Sequence, residues 1–157
     1  MGHFKLSTPD TLKPSEQRFV VDLMLMRLGR WLRLMGQDVA NPESESDWEI
    51  IEQAAREHRT VITRDRSLWQ SCLKMEWPCI LIRSSQIEEQ LLEMAKTGLP
   101  LLLDPQRCTL CNEPLEQMAE GRKQWRCRRC NKLYWRGSHW RKMEQILEEI
   151  ESRIGNV

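Results

Sequence analysis

Four cysteines in the last third of the chain have the spacing of a metal site. They form two CxxC pairs separated by fifteen residues, namely Cys108, Cys111, Cys127 and Cys130. Two short turns at this spacing can converge on one tetrahedral ion, and four thiolates are the ligands of a structural zinc site. We therefore predict a small zinc ribbon with these cysteines as its zinc ligands.

Three aspartates have positions that suit a second, different metal site. Asp22 and Asp65 each follow a predicted strand, and Asp47 lies in the first turn of a predicted helix. The carboxyl ends of parallel strands form the crevice in which ligands bind. Carboxylates on one rim repel one another unless a cation lies between them, and oxygen ligands suit Mg²⁺ or Mn²⁺. Such ions promote phosphodiester cleavage, so a metal-dependent nuclease is the leading hypothesis.

Each of these acids also has a purely structural interpretation. Asp47 could be a helix N-cap, although the capping box that we predict uses Ser46 and Glu49 instead. Asp65 lies between two arginines that could pair with it or could hold substrate phosphates. Asp22 is harder to explain in this way, because an unpaired charge after an apolar strand is costly.

Strands and helices alternate through the first two thirds of the chain, which predicts an α/β domain with a mostly parallel sheet. The hydrophobic patterns predict strands at 19–21, 38–40, 61–63 and 79–82, and helices at 24–35, from 46, at 66–74 and at 86–96. We predict a flexible tail over residues 1–17, the α/β domain over 18–103, and the zinc ribbon with a C-terminal helix over 104–157. The packing partner of that last helix, 140–154, is left open.

Basic residues are concentrated in the ribbon, although the net charge of the 157-residue chain is only +1. The stretch 122–142 contains nine arginines and lysines and no acidic residue. They could neutralise a zinc–thiolate centre or bind RNA, with interleaved aromatic rings stacking on bases. Trp125 and Tyr134 could equally be core residues of the ribbon. The predicted RNA contacts are Arg27, Arg30, Arg33, Arg64, Arg128, Arg129, Lys132, Trp135, Arg136, His139 and Trp140.

The arginines at positions 27, 30 and 33 recur every third residue on the first predicted helix. They could guide RNA towards Asp22, or they could form an ordinary solvated helix face.

Several other classes of protein are disfavoured. No apolar run approaches the length of about 20 residues that crosses a bilayer, and no Gly-rich loop follows a strand. Cys72 and Cys79 lie in apolar surroundings without a disulfide pattern. We expect a soluble, cytoplasmic protein with neither a membrane partner nor a small-molecule cofactor.

Three segments resemble the Mut-seven C-terminal RNase domain family over about residues 18–143. They are FVVDLMLMRLGRWLRLMG (19–36), SDWEIIEQAAREHRTVITRDRSLW (46–69) and the tail CxxC…CxxC…YWRGSHW. The resemblance implies a PIN-like fold, a three-layer parallel sheet with helices on both faces, followed by a zinc ribbon. It also implies that Asp22, Asp47 and Asp65 bind divalent ions and cut RNA by means of a metal-activated water.

The chain departs from the family pattern at one position. Many PIN-like sites have a further acid or hydroxyl just beyond the last aspartate, and here that residue is Ser67. The number of catalytic ions is therefore open, and so are the target RNA, the cleavage mode and activity on DNA. The alternative function is a catalytically inactive zinc-ribbon protein that binds RNA or acts as an adaptor.

Overall fold

The structure is a computed structural model that describes residues 17–119 and 122–155. All but the last residue of the predicted N-terminal tail lies outside these residues. The strands are β1 Arg18–Val21, β2 Asp38–Ala40, β3 Thr60–Thr63, β4 Cys79–Leu81, β5 Glu116–Ala119, β6 Arg122–Arg126 and β7 Leu133–Trp135. The helices are α1 Met26–Leu34, α2 Asp47–Glu57, α3 Arg66–Lys74, α4 Ile87–Ala95 and α5 Ser138–Gly155, and a 3₁₀ turn covers Leu23–Leu25.

The first four strands form one parallel sheet in the order β2-β1-β3-β4. Val20 lies opposite Ala40 on one side and Val61 on the other, so β1 is a central strand. The two central strands β1 and β3 consist mainly of β-branched and aromatic residues, which favour extended backbone. The predicted α/β fold with a parallel sheet is confirmed.

Side chains that alternate along the strands enter two separate apolar clusters. Phe19 and Val21 join one cluster, whereas Val20 joins the other, because successive strand side chains point to opposite faces. The first cluster draws on α1, α4 and α5 through residues such as Leu28, Leu32, Leu91, Met94, Leu147 and Ile150. The second draws on α2 and α3 through Ile50, Ile51, Ala54, Leu68 and Cys72.

The C-terminal helix packs on the α/β domain, which answers the question that the sequence left open. Trp140, Met143 and Leu147 are buried in the first cluster. Trp140 also stacks on Trp125 at a ring-centroid distance of 5.7 Å and an interplanar angle of 8°. Because only 4% of Trp140 is exposed, its prediction as an RNA contact is wrong.

One helix start and one predicted helix cap differ from the structure. The first helix begins at Met26 rather than at residue 24, because Asp22 caps a 3₁₀ turn through the backbone N–H of Met24. The second begins at Asp47 with Ser46 as its N-cap residue, but the Ser46 side chain makes no capping hydrogen bond. The predicted capping box is therefore wrong in its bonds, although the helix starts where it indicated.

The ribbon covers the edge strand β2. The backbone N–H of Val39 donates to Asn112 Oδ1 at 3.0 Å, and Asn41 Nδ2 donates to the carbonyl of Leu110 at 3.1 Å. Asn112 Nδ2 also donates to Asp38 Oδ1 at 2.5 Å. These bonds occupy polar groups that an edge strand would otherwise leave open for pairing with another chain.

Arg33 joins helix α1, strand β2 and the ribbon. Its guanidinium donates to the carbonyl oxygens of Val39 and Thr109 at 2.8 and 2.5 Å, and to Asn41 Oδ1 at 2.7 Å. Only 1% of the residue is exposed. Arg33 is therefore unavailable to RNA, and its prediction as an RNA contact is wrong, whereas Arg27 and Arg30 on the same helix are exposed.

None of the described helices is long and apolar enough to cross a membrane.

Replacing Arg33 with lysine should destabilise the protein, because an ammonium group cannot aim donors at three separated acceptors as the guanidinium does. We expect the free energy of unfolding of the zinc-loaded protein to fall by about 2–4 kcal/mol. Urea denaturation measures the change. The matched control is Arg30→Lys on the exposed side of α1, which should change stability by less than about 0.5 kcal/mol. Equal effects of the two substitutions would contradict a structural role for Arg33.

Candidate active site and metal centre

The three aspartates lie at the carboxyl edge of the parallel sheet. Asp22 follows β1, Asp65 follows β3 by two residues, and Asp47 is the first residue of α2. The chain leaves β1 for β2 on one side and then returns to β3 on the other. Such a reversal opens a crevice between the two central strands, which is where open α/β sheets bind their ligands.

The carboxylate of Asp22 is buried and held in one orientation. Only 6% of the residue is exposed. Its Oδ1 accepts a hydrogen bond from the backbone N–H of Met24 at 3.0 Å, and its Oδ2 accepts one from the Thr63 hydroxyl. Its own backbone N–H donates to the carbonyl of Ile62 at 3.2 Å. Asp22 is therefore fixed both to its own turn and to the neighbouring strand.

Hydrogen bonds continue from Asp22 to the other two acids. Thr63 Oγ1 accepts from the backbone N–H of Asp65 at 2.9 Å, and Asp65 Oδ1 accepts from the backbone N–H of Ser67 at 2.9 Å, which caps α3. The Ser67 hydroxyl then donates to Asp47 Oδ2 at 3.3 Å. We call this run of residues, Asp22, Thr63, Asp65, Ser67 and Asp47, the acidic chain.

Burial raises the pKa of Asp22 above its ordinary value, and the negative charge of Asp65 adds to this effect. Hydrogen bonds from Thr63 and from the backbone of Met24 and Arg64 oppose it only in part. Within the described part of the chain, no arginine, lysine or histidine forms an ion pair with Asp22. A carboxylate in this position is stabilised by a proton or by a bound cation.

The spacing of the acids limits how they could hold an ion. Within the described part of the chain, the cysteines are the only group of three or more candidate ligands whose donor atoms all lie within 4.8 Å of one another. The three aspartates do not form such a group. Mg²⁺ does not require one, because it keeps several waters and binds through one or two carboxylates.

Exposed arginines surround the acidic chain. Arg64 and Arg66 flank Asp65, and Arg27 lies in the first turn of α1 beyond Asp22. None of the three forms an ion pair with another described residue. Their guanidinium groups are available to phosphates, for which arginine provides two parallel donors.

The four cysteines predicted as zinc ligands are brought together. Their sulfur atoms all lie within 4.8 Å of one another, and Cys111 Sγ lies 3.6 Å from Cys127 Sγ. Tetrahedral ligation with Zn–S bonds of about 2.3 Å requires sulfur atoms about 3.8 Å apart. The cluster could therefore hold a zinc ion.

Both CxxC turns repeat the same backbone pattern. The N–H of Asn112 donates to the carbonyl of Cys108 at 2.9 Å, and the N–H of Asn131 donates to that of Cys127 at 2.8 Å. The two asparagines have left-handed φ angles of 66° and 58°, which asparagine tolerates better than most residues. The sequence contained this signal as a repeated CxxCN motif, which our sequence analysis missed.

Tyr134 is a core residue of the ribbon beside the cysteines. Its hydroxyl accepts from the backbone N–H of Thr109 at 3.0 Å and lies 3.4 Å from Cys108 Sγ. Burial disfavours the Cys108 thiolate, but hydrogen bonds from Tyr134 and from backbone N–H groups outweigh this effect and lower the pKa of Cys108 to about 6. One thiolate is therefore favoured within the cluster, whereas burial raises the pKa of the neighbouring Cys111 thiol to about 12.

The basic residues of the ribbon differ in the side chains that they contact. Arg128 pairs with Glu116 at 2.9 Å and Arg129 with Glu113 at 3.7 Å. Lys132 and Arg136 lie over the rings of Tyr134 and Trp140, at 5.1 and 5.3 Å from the centroids. All four of these basic residues are exposed, and so are Trp135 and His139. The ribbon therefore presents both cations and one large aromatic ring to solvent.

Thr63 is the site residue that sequence analysis missed. We treated it only as a strand residue, whereas its hydroxyl connects Asp22 to Asp65. The available signal was a polar hydroxyl at the end of an otherwise apolar strand, two residues before an acid. Such residues commonly hydrogen-bond to nearby backbone N–H groups.

The fold and site define an α/β protein with hydrogen-bonded acids at the carboxyl edge of its parallel sheet and a cysteine cluster able to hold zinc. Residues 17–147 match the family model described as the Mut7-C RNAse domain. The match covers most of the chain, so the chain belongs to this family, which indicates a ribonuclease-type function and RNA as a partner. Comparisons with curated proteins and with solved structures found no match.

Asp22→Asn should not destabilise the zinc-loaded protein in the absence of other divalent ions. The pKa of Asp22 is raised by folding, so the wild type loses stability as the pH rises from about 4 through the folded pKa. The variant lacks this loss. Urea denaturation at about pH 5 and about pH 8 should therefore show the variant gaining relative to the wild type at the higher pH. A variant that is less stable at both pH values would indicate that Asp22 is purely structural.

Proposed function

We propose that the protein is a metal-dependent ribonuclease that hydrolyses RNA phosphodiester bonds in a PIN-like α/β domain. Asp22, Asp47 and Asp65 would hold one or two Mg²⁺ or Mn²⁺ ions. The cysteine cluster would hold structural zinc, and the ribbon would help to bind RNA. Free thiols persist most readily in a reducing compartment, and the six free cysteines therefore support a cytoplasmic location.

The acidic chain is the observation that carries this proposal. It connects acids from two strand ends and one helix start, which are far apart in sequence. A buried carboxylate with a raised pKa and a specific charged neighbour, located in a crevice, is typical of a functional site. The membership of the chain in a ribonuclease-domain family supports the same assignment.

The residues of the site have distinct roles in this proposal. Thr63 and the Met24 backbone orient Asp22, while Asp47 and Asp65 have polar neighbours and greater access to solvent. Arg64 and Arg66 would neutralise the RNA backbone on either side of Asp65, aided by the positive dipole ends of α2 and α3. A divalent ion, when bound, supplies a water of lowered pKa and positive charge for the phosphate.

The PIN-like assignment rests on family membership and on the arrangement of the core. The sheet contributes side chains to two clusters that involve different helices. This arrangement supports a three-layer domain with helices on both faces of a parallel sheet. Asp22 and Asp65 then follow the two central strands, as catalytic acids at a topological switch point would.

A catalytically inactive RNA-binding or adaptor protein is the second candidate. It is favoured because the aspartates are not among the groups of candidate metal ligands found in the described residues. Ser67, which occupies the position of a possible fourth acid, bridges Asp47 and Asp65 through its hydroxyl and backbone N–H. An adaptor would need zinc alone.

Asp22→Asn and Asp65→Asn should each slow RNA cleavage at least about 100-fold while leaving zinc content and fold unchanged, because each removes a charge that the ion requires. The measurement is the cleavage rate of a mixed pool of structured and unstructured RNAs with added Mg²⁺ or Mn²⁺. Substitution is preferable to chelation, because a chelator would also remove zinc and unfold the ribbon.

The matched control for this experiment is Asp104→Asn. Asp104 is an exposed carboxylate whose backbone N–H donates to Leu34, at the end of α1 away from Asp22. The Asp104→Asn variant should cleave RNA at the wild-type rate. A wild type that binds RNA but cuts it with neither metal would favour the adaptor instead.

Trp135→Ala should weaken RNA binding by about 5- to 20-fold without altering zinc content, because an exposed ring that stacks on a base is lost. Trp135 is 59% exposed and lies on β7, beside the buried Tyr134. Fluorescence anisotropy of a labelled RNA measures the affinity, and Leu102→Ala, an exposed apolar residue outside the ribbon strands, is the control. Equal affinities of wild type and Trp135→Ala would contradict a role for the ribbon surface in binding.

A further inference from the structure

Trp48 is a large aromatic residue that the fold leaves in solvent. It is the second residue of α2, and 60% of it is exposed. The same helix buries Ile50, Ile51 and Ala54 in the second apolar cluster, to which Trp48 does not contribute. Core packing therefore does not explain why a tryptophan occupies this position, since its apolar surface stays in water.

The position of Trp48 places it at the acidic chain. Its neighbour Asp47 accepts a hydrogen bond from the Ser67 hydroxyl at 3.3 Å, so the starts of α2 and α3 are in contact there. Helix α2 follows β2 and begins at the carboxyl edge of the sheet. Helical side chains lean towards the helix N-terminus, and for α2 that direction is towards this edge.

A second exposed apolar surface lies on the other side of the acidic chain. Leu23 and Met24 directly follow Asp22 in the 3₁₀ turn and are 48% and 58% exposed. The exposed Arg64 and Arg66 flank Asp65 in the sequence. Asp65 lies between Asp22 and Asp47 in the acidic chain, and so between the two apolar surfaces. Acids, cations and apolar side chains therefore occur together at one edge of the sheet.

This combination matches one class of ligand better than others. Arginines attract a phosphate backbone, and an exposed indole ring offers a flat surface to a nucleobase. A base in a duplex is already stacked and paired, so its face is not free to contact Trp48. A protein partner would fit the apolar residues but would not explain the unpaired arginines around the acids.

We propose that Trp48 stacks on the base of an unpaired nucleotide next to the phosphate that is cut, and that the substrate is therefore single-stranded RNA. This inference rests on the proposed function, because it assigns the scissile phosphate to the acidic chain. Leu23 and Met24 form the apolar contact for the nucleotide on the other side of that phosphate.

The test is a double-mutant cycle between Trp48 and the bases of the RNA. The proteins are the zinc-loaded wild type, Trp48→Ala, Trp48→Phe and Leu73→Ala, the last an exposed apolar residue in the last turn of α3. The RNAs are a labelled single strand of about twelve nucleotides, the same strand in a duplex, and single strands that each carry one abasic position. Binding is measured by anisotropy without added Mg²⁺, and cleavage with it.

We expect Trp48→Ala to bind the single strand and to cut it about 5- to 100-fold less well, and Trp48→Phe to recover most of the loss. One of the abasic RNAs lacks the base that Trp48 contacts. The wild type should bind and cut this RNA less well by the same factor, and Trp48→Ala should bind and cut it as well as the wild type does. Leu73→Ala should behave as wild type, and the duplex should bind weakly to every protein and respond to none of the substitutions.

Two outcomes would overturn the proposal. One is equal binding and cleavage of the single strand by wild type and Trp48→Ala, and the other is a Trp48→Ala loss that every abasic RNA retains in full. The second would identify Trp48 as a residue that maintains the local fold or contacts a protein. Cleavage that fails for every protein, with the stacking cycle intact, would instead refute the proposed function alone.

Discussion

The parallel pairing of β1 with β3 is the constraint on which the candidate site depends. Val21 lies opposite Ile62, so the residue after β1 meets the end of β3 at one edge of the sheet. The Asp22 backbone then donates to Ile62, and its carboxylate accepts from Thr63. Since β2 lies on the far side of β1, the chain must cross back over β1 before it forms β3. That crossing brings the start of α2, with its acid, to the same edge of the sheet.

Two buried charged residues, Arg33 and Asp22, differ in how the surrounding protein compensates their charges. The Arg33 guanidinium is buried, but its donors reach three oxygen acceptors, and it fixes the ribbon against α1 and β2. The Asp22 carboxylate is also buried, and it accepts hydrogen bonds but forms no ion pair with another described residue. A satisfied buried charge stabilises a single arrangement of the chain, whereas an uncompensated carboxylate is retained at a cost in stability. Such a cost is typical of a site that binds a cation during function.

The sequence predicted those features that depend on local pattern. Apolar runs predicted the strands of the parallel sheet, and CxxC spacing predicted the cysteines that cluster. Predictions of features that depend on tertiary contacts were wrong, or the features were not predicted at all. A spacing of three along α1 does not reveal that Arg33 faces the ribbon while Arg30 faces water, and a Trp within a basic segment does not reveal its burial under Trp125. The role of Thr63 follows from the pairing of β1 with β3, which the order of strands along the chain does not reveal.

The most direct test of the proposed nuclease site is to locate the divalent ion itself. A crystal of the zinc-loaded protein soaked in Mn²⁺ can be measured for anomalous scattering from manganese. We expect a peak about 2.1 Å from a carboxylate oxygen of Asp22, with Asp47 or Asp65 bound directly or through water. A protein that cuts RNA with Mn²⁺ present, yet shows no manganese at the carboxyl edge of the sheet, would contradict the assignment of the acidic chain as the catalytic site.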